Sequence, residues 1–431
     1  MTEFFVRPQF SQTNQSISKV EALYYAAIAN ALPVAIWRQP AIVDQGRAAP
    51  QAIVDLSGQP QPAPIDFHDT TPMFVFSPFV KEHNSATLRL QADLHLSPHG
   101  LQANPAANAN ARKVEQYRRF AWTYESLLKG ELPVRPGWYT LPVDMQRNAL
   151  ATEAEFCALV ESAIDFIRAI QIRKVVVSRM TETMLPVNFD PISTFEELCN
   201  RYPHAFVSLV AIPNVGTWMG ASPELLLALD QESLRTMALA GTQARPAHLP
   251  LHQVQWGHKE IEEQALVSDY IREFFKKAGI DDLQETGPET TAAGNIVHLR
   301  TTFQVKRPSD ALLTLANQVL YQLHPTSAVC GMPKDKALSF ILAHENYDRS
   351  FYSGFLGPVH IDGHSSLYVN LRCMQLQEQK ANLYVGAGIT AESVPAAEWR
   401  ETILKSETLL NVLRASAQAA ANIQPAPLLG R

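Results

Sequence analysis

The chain reads as α+β, with large and mainly antiparallel sheets, on two observations. From Thr152 onward, apolar or alternating runs follow one another closely, and helical blocks interrupt them only at intervals. The composition supplies what such sheets need: 431 residues, 46% hydrophobic and 18% charged, enough to bury a large core. That length fits two or three average domains or a single large one.

Thr152 with Glu155 forms a capping-box signature, after which Phe156, Leu159, Val160, Ala163, Ile164, Ile167 and Ile170 recur at helical spacing. An almost wholly apolar strand, KVVVSR at 174–179, follows at once. A short helix around 195–200 leads into strands at 205–212, 217–220, 225–229 and 234–240. Next come a helix over 259–277, a strand at 296–305, a helix at 310–321 and, past the loop HPTSAVCGMPK, a helix from Asp335. Long strands and a terminal helix complete the pattern. The first 95 residues are Pro-punctuated, with strand candidates at 33–38 and 73–80, and the Ala/Asn-rich stretch 95–112 reads as an exposed loop. The Ala/Gln/Pro-rich segment 417–431 reads as a flexible tail. No internal repeat of fixed period is visible.

Several function classes are excluded. A formal net charge of -6 argues against a nucleic-acid partner. No apolar run reaches membrane-spanning length, and the opening MTEFFVRPQF lacks the pattern of a secretory signal. Cys157, Cys199, Cys330 and Cys373 are scattered, without the paired spacing of zinc or redox sites. The expectation is a reduced, cytoplasmic protein.

Charged residues in unusual settings mark the candidate site. YVNLRCMQL places Arg372 in an alternating strand, and NLYVGAGIT closes the next strand with Gly386 and Gly388. The helix after it carries Glu398, Glu401 and Lys405 at spacings of three and four, hence on one face. HKEIEEQALV repeats that spacing with Glu260 and Glu263. Carboxylate pairs on two helices supply the hard oxygen ligands that magnesium prefers, although a solvated helix face would carry the same letters. Lys174 opens an apolar strand, where an amine becomes a candidate base, or reaches water at the strand mouth. Glu224, in GASPELLLAL, is a turn carboxyl flanked by apolar residues and a candidate proton donor. Gly241 would let a ligand approach the backbone, and Thr242 offers a hydroxyl and an amide.

Taken in order, these segments resemble the chorismate-utilising enzymes, the anthranilate synthase component I-like family, and within it the isochorismate synthases. KVVVSR, SPELLL (222–227), LAGT (239–242), KEIEEQALV (259–267), LHPTSAVCGMPK (323–334), LRC (371–373), YVGAGI (384–389) and EWRETILK (398–405) carry the resemblance. It spans roughly 164–413. It implies one chorismate-binding domain over 1–431, a two-sheet core flanked by helices, with 1–112 a less recognisable part of the same fold.

The implied reaction converts chorismate reversibly to isochorismate, water adding at C2 while the C4 hydroxyl departs. Lys174 would be the general base and Glu224 the general acid. Glu263 and Glu401 match the family's Mg2+ ligands, with Glu260 and Glu398 as nearby partners. Arg372, Lys405 and the backbone at Gly386 match groups gripping the enolpyruvyl carboxylate, and Gly241 with Thr242 the turn near the ring carboxylate. Ammonia-using relatives typically lack a lysine where Lys174 stands, and aminodeoxychorismate synthases usually carry a lysine where this chain has Ala240. Both positions imply water as nucleophile, with no amidotransferase subunit, and leave a monomer or a homodimer open. Salicylate synthases share the lysine base and remain an alternative, as does a non-catalytic relative that binds chorismate. Gln264 stands where histidine is common. The product's route, to menaquinone, a siderophore or salicylate, stays open.

Overall fold

The computed structural model describes residues 4–6, 17–41, 48–80, 87–105, 110–141, 151–246, 249–294 and 296–422. Every strand pairing among them is antiparallel. A ten-stranded sheet runs, edge to edge, through Gly331–Met332, Lys174–Met184, Lys380–Ile389, Cys373–Leu376, Gly216–Ser222, Phe206–Ile212, Val34–Arg38, Gln51–Val54, Leu94–Ser97 and Gly100–Ala103. An eight-stranded sheet runs through Gln284–Ala293, Ile296–Lys306, Ser233–Ala244, Leu225–Leu229, Ser365–Val369, Phe355–Val359, Met73–Ser77 and Leu88–Gln91. Strands from the first hundred residues therefore sit in both sheets.

Aromatic side chains from both sheets fill the layer between them: Trp37 meets Phe74 at 5.3 Å, and Phe206 stacks on Tyr368 at 4.1 Å. Each such ring, fully buried, contributes on the order of 2–3 kcal/mol. Helices cover the outer faces. Lys19–Ala29, Ala111–Leu128 and Pro191–Arg201 form a core with the ten-stranded sheet, while His258–Lys277 and Ser309–Leu323 lie on the eight-stranded one. Glu153–Ile170 and Lys334–His344 pack on the Lys174 strand, and the long helix Pro395–Asn422 on Lys380–Ile389. The expected capping box is present, Thr152 Oγ1 accepting from the Glu155 amide at 3.3 Å.

Three readings need correction. The first half of the stretch 95–112 is a hairpin, Leu94–Ser97 paired with Gly100–Ala103, because Leu94 and Leu96 alternate into the core around a turn with Gly100 at φ +114°, and a helix begins at Ala111. Arg372 is not in a strand; it lies where the chain passes from Ser365–Val369 of one sheet to Cys373–Leu376 of the other, at φ +48°. The last helix continues to Asn422, beyond the expected break after Ser416, and the rest of the expected tail lies outside the described residues.

Candidate active site

Two sheet-to-sheet crossings shape the site. One is at Arg372. The other is at Pro223 and Glu224, between Gly216–Ser222 of the ten-stranded sheet and Leu225–Leu229 of the eight-stranded one. Gly220 fits between them: a Cβ there would lie 2.9 Å from the Arg372 carbonyl oxygen. Between the crossings opens a cleft of about 690 Å³ of empty space, part of it solvent. Lys174, Glu224, Gly241, Thr242, Glu263, Arg372, Gly386 and Lys405 all line it. Glu260, Glu398 and Glu401 do not line it but lie on the two helices that carry Glu263 and Lys405.

Lys174 is 2% exposed, and its Nζ donates to Glu263 Oε1 at 2.7 Å. The other oxygen of Glu263 accepts from the Gly241 amide at 3.3 Å, an amide presented by the left-handed turn at φ +66°. Burial acts to raise the Glu263 carboxyl, but Lys174, Lys405 and Lys259 together hold it below the usual range. Glu224 is the opposite case. It is 4% exposed, and burial pushes its carboxyl up to about 7 despite a hydrogen bond from Thr326 Oγ1 at 3.1 Å and the charges of Lys174 and Lys405. A carboxyl poised there can give up a proton near neutrality.

Three lysines each hold one helix carboxylate. Besides Lys174 with Glu263, Lys405 lies 2.7 Å from Glu401, and Lys259 donates to Glu398 at 2.7 Å. Lys405 also donates to the Gly386 carbonyl at 2.9 Å. Burial and the neighbouring Glu401 raise the Glu398 carboxyl, and Lys259 draws it back. The helix bearing Glu398, Glu401 and Lys405 is fixed by Arg179, which stacks 4.0 Å above Trp399 and donates to Thr402 Oγ1 at 2.8 Å.

By chemistry the carboxylates of the two helices are the hard oxygen donors that Mg2+ prefers, but of them only Glu263 lines the cleft. Among the described residues, though, no three His, Cys, Asp or Glu side chains are grouped to hold an ion as they stand. The lysines already occupy the carboxylates. Gln264, for its part, faces the sheet: it accepts from the Ala240 amide at 2.9 Å and donates to Thr301 Oγ1 at 2.9 Å, beside the irregular register that follows Ala240.

Sequence reasoning missed His298. Its Nδ1 meets the Gly241 carbonyl at 2.9 Å, and its Nε2 receives Arg372 Nη2. Burial and the Arg372 charge hold the imidazole neutral, well below its usual range. Arg372 also donates to the Ala293 carbonyl at 3.1 Å, and burial lowers its guanidinium to about 10. Tyr352 and Tyr384 complete the apolar wall. Nothing in an alternating strand such as IVHLRTTF marks its histidine as a site residue.

Solved structures share this architecture. The fold superposes on menaquinone-specific isochorismate synthase MenF from Escherichia coli with a TM-score of 0.68, at 21% identity, covering 96% of this chain and 95% of that one. It is the fold of the chorismate-utilising enzymes. The chain belongs to the chorismate binding enzyme family, whose model matches residues 100–414. It is 31% identical over 274 residues to isochorismate synthase EntC of Escherichia coli K12, covering 62% of this chain and 69% of that protein. It is also 31% identical over 320 residues to the salicylate biosynthesis isochorismate synthase of Pseudomonas aeruginosa, covering 72% and 64%.

Proposed function

We propose that the chain is an isochorismate synthase, an isomerase that exchanges hydroxyls on chorismate. One observation carries the reading: a buried amine, Lys174, and a buried carboxyl raised to about 7, Glu224, line the same cleft. Hydroxyl exchange needs one base and one acid placed about one ring. Lys174 takes a proton from water as its oxygen bonds to C2, the ring double bond shifts, and the C4 hydroxyl leaves as water with the proton of Glu224. To act so, Lys174 must first give up its own proton and leave Glu263.

The substrate is a dianion, and the cleft meets it with cations. Arg372 and Lys405 receive the enolpyruvyl carboxylate beside Gly386, while the ring carboxylate lies by the turn of Gly241 and Thr242, whose amide and hydroxyl otherwise meet Glu263 and His298. Glu263 and Glu401 would hold Mg2+, with Glu260 and Glu398 supporting, and the bound ion would supply positive charge to offset the substrate's carboxylate. With water as nucleophile, the chain works as one domain without an amidotransferase subunit. Chromatography after incubation with chorismate, with and without Mg2+, tests the reading. Isochorismate as sole product supports it. Pyruvate with salicylate fluorescence would make the protein a salicylate synthase, and unreacted chorismate a binding protein.

A further inference from the structure

Glu224 has a second face. Behind it lies a smaller hollow of about 250 Å³ of empty space, most of it open to solvent or too narrow for a molecule, and of the residues lining the two hollows Glu224 alone is shared. Hydroxyl side chains line this hollow with the carboxyl, one of them in contact with it. Thr326 Oγ1 donates to Glu224 Oε1 at 3.1 Å, and Thr236 Oγ1 donates to the Leu226 carbonyl at 2.8 Å. Ser327 also lines this cavity, only 4% exposed, and its hydroxyl bonds to no protein group among the described residues. A buried hydroxyl without a protein partner, facing a cavity, points to a small ligand that both gives and accepts hydrogen bonds; the free space suits about one water. Tyr270, part-exposed, carries the far wall toward the surface, its phenol donating to the Gln322 carbonyl at 3.1 Å.

Each turnover of the proposed reaction leaves Lys174 with one proton more and Glu224 with one fewer. Lys174 can shed its proton on the cleft side. Glu224, which lines both hollows, can also be recharged from behind, while product still fills the cleft in front of it. We propose that the second cavity is the proton-return path to Glu224, with Ser327, Thr326 and an enclosed water as the relay. Hydronium or a buffer acid at the Tyr270 side gives up one proton and is left as water or conjugate base. Each hydroxyl accepts one proton as it passes on another, and the Glu224 carboxylate becomes the carboxyl; no electrons move. Ser327 is thereby a positioning residue that acts through Glu224, and the proposal rests on the reading of Glu224 as the acid.

The experiment compares Ser327→Ala, Ser327→Thr and Glu224→Gln in steady-state turnover of chorismate, in H2O and D2O, with and without imidazole buffer. Ser327→Ala should lose about tenfold in kcat with KM unchanged, as expected for a step confined to the bound enzyme. Its solvent isotope effect should grow, imidazole should restore part of the rate, and Ser327→Thr should stay near wild type. A normal rate and isotope effect in Ser327→Ala, with Glu224→Gln inactive, would overturn the relay and leave the acid standing. A slow Ser327→Ala with neither isotope response nor rescue would reduce Ser327 to packing and overturn the relay too. Turnover in Glu224→Gln would remove the acid and the relay together.

Discussion

Lys174 reaches Glu263 across the space that Gly388 leaves empty: a Cβ on Gly388 would stand 2.7 Å from Lys174 Cε and 2.8 Å from Glu263 Oε1. The two residues come from paired strands, Gly388 opposite Val176. Gly388 adopts ordinary strand angles, so alanine costs the backbone little, and the atoms it meets are movable side-chain ends. Gly388→Ala should therefore fold with a near-native melting temperature and lose most of its turnover. Gly386→Ala should behave differently, since its Cβ would meet the Val177 carbonyl at 2.8 Å and the Tyr352 hydroxyl at 2.9 Å. That variant should melt lower. Thermal unfolding beside kcat separates the two.

The pair that Gly388 admits can be tested directly. Lys174→Met removes the ammonium and leaves the Glu263 carboxylate with the more distant charges of Lys405 and Lys259. Breaking a buried pair from one side costs about 3–5 kcal/mol, and the remaining lysines favour the lower end. Replacing both residues, as Lys174→Met with Glu263→Gln, should recover most of that stability and none of the activity. Denaturant unfolding of the two single variants and the double closes the cycle. Additive losses would mean that the 2.7 Å contact contributes nothing in solution.

The pH profile should carry the signature of Glu224. Burial raises its carboxyl to about 7, so its proton is lost as pH rises through that value and, with Glu224 as the proposed acid, kcat should fall on the alkaline side. Thr326 donates to the carboxylate and pulls the value down, so Thr326→Val should shift the limb to higher pH. Stability follows the same sign. The folded value exceeds the ordinary 4.5, so the stability this group contributes is complete below 4.5 and is lost as pH climbs through about 7. Glu224→Gln should flatten that part of the stability curve, as measured by melting temperature against pH.

Much of this site was legible in the sequence, for reasons that differ residue by residue. Glu260 with Glu263 and Glu398 with Glu401 are pairs within single helices, and helical spacing is a local property. Lys174 and Gly386 belong to strands whose apolar or alternating runs are equally local. Arg372 was placed in a strand because LRC continues the alternation; that the chain changes sheets there depends on partners far away in sequence. The hairpin 94–103 was hidden by its polar turn and short strands. His298 acquires its role only through Arg372, 74 positions along the chain. Lys259 reads as a solvated lysine until the far helix brings Glu398, 1% exposed, to 2.7 Å from it.

Metal dependence gives the last prediction. In this structure the carboxylates Glu263, Glu398 and Glu401 each accept a lysine at 2.7 Å, so their charge is compensated within the protein. The fold has no need of a cation to offset them. Chelation should then leave the melting temperature essentially unmoved while stopping turnover, and added Mg2+ should restore the rate. If Glu263 and Glu401 hold the ion as proposed, Glu263→Gln and Glu401→Gln each exchange a charged carboxylate for a neutral amide and should raise the Mg2+ concentration for half-maximal rate by about tenfold or more. Replacing Glu115, an exposed acid on the helix Ala111–Leu128 away from the cleft, should change nothing. Calorimetric titration with Mg2+ in the absence of chorismate reads the affinity without relying on turnover. Wild-type affinity in both Glu263→Gln and Glu401→Gln would place the ion elsewhere.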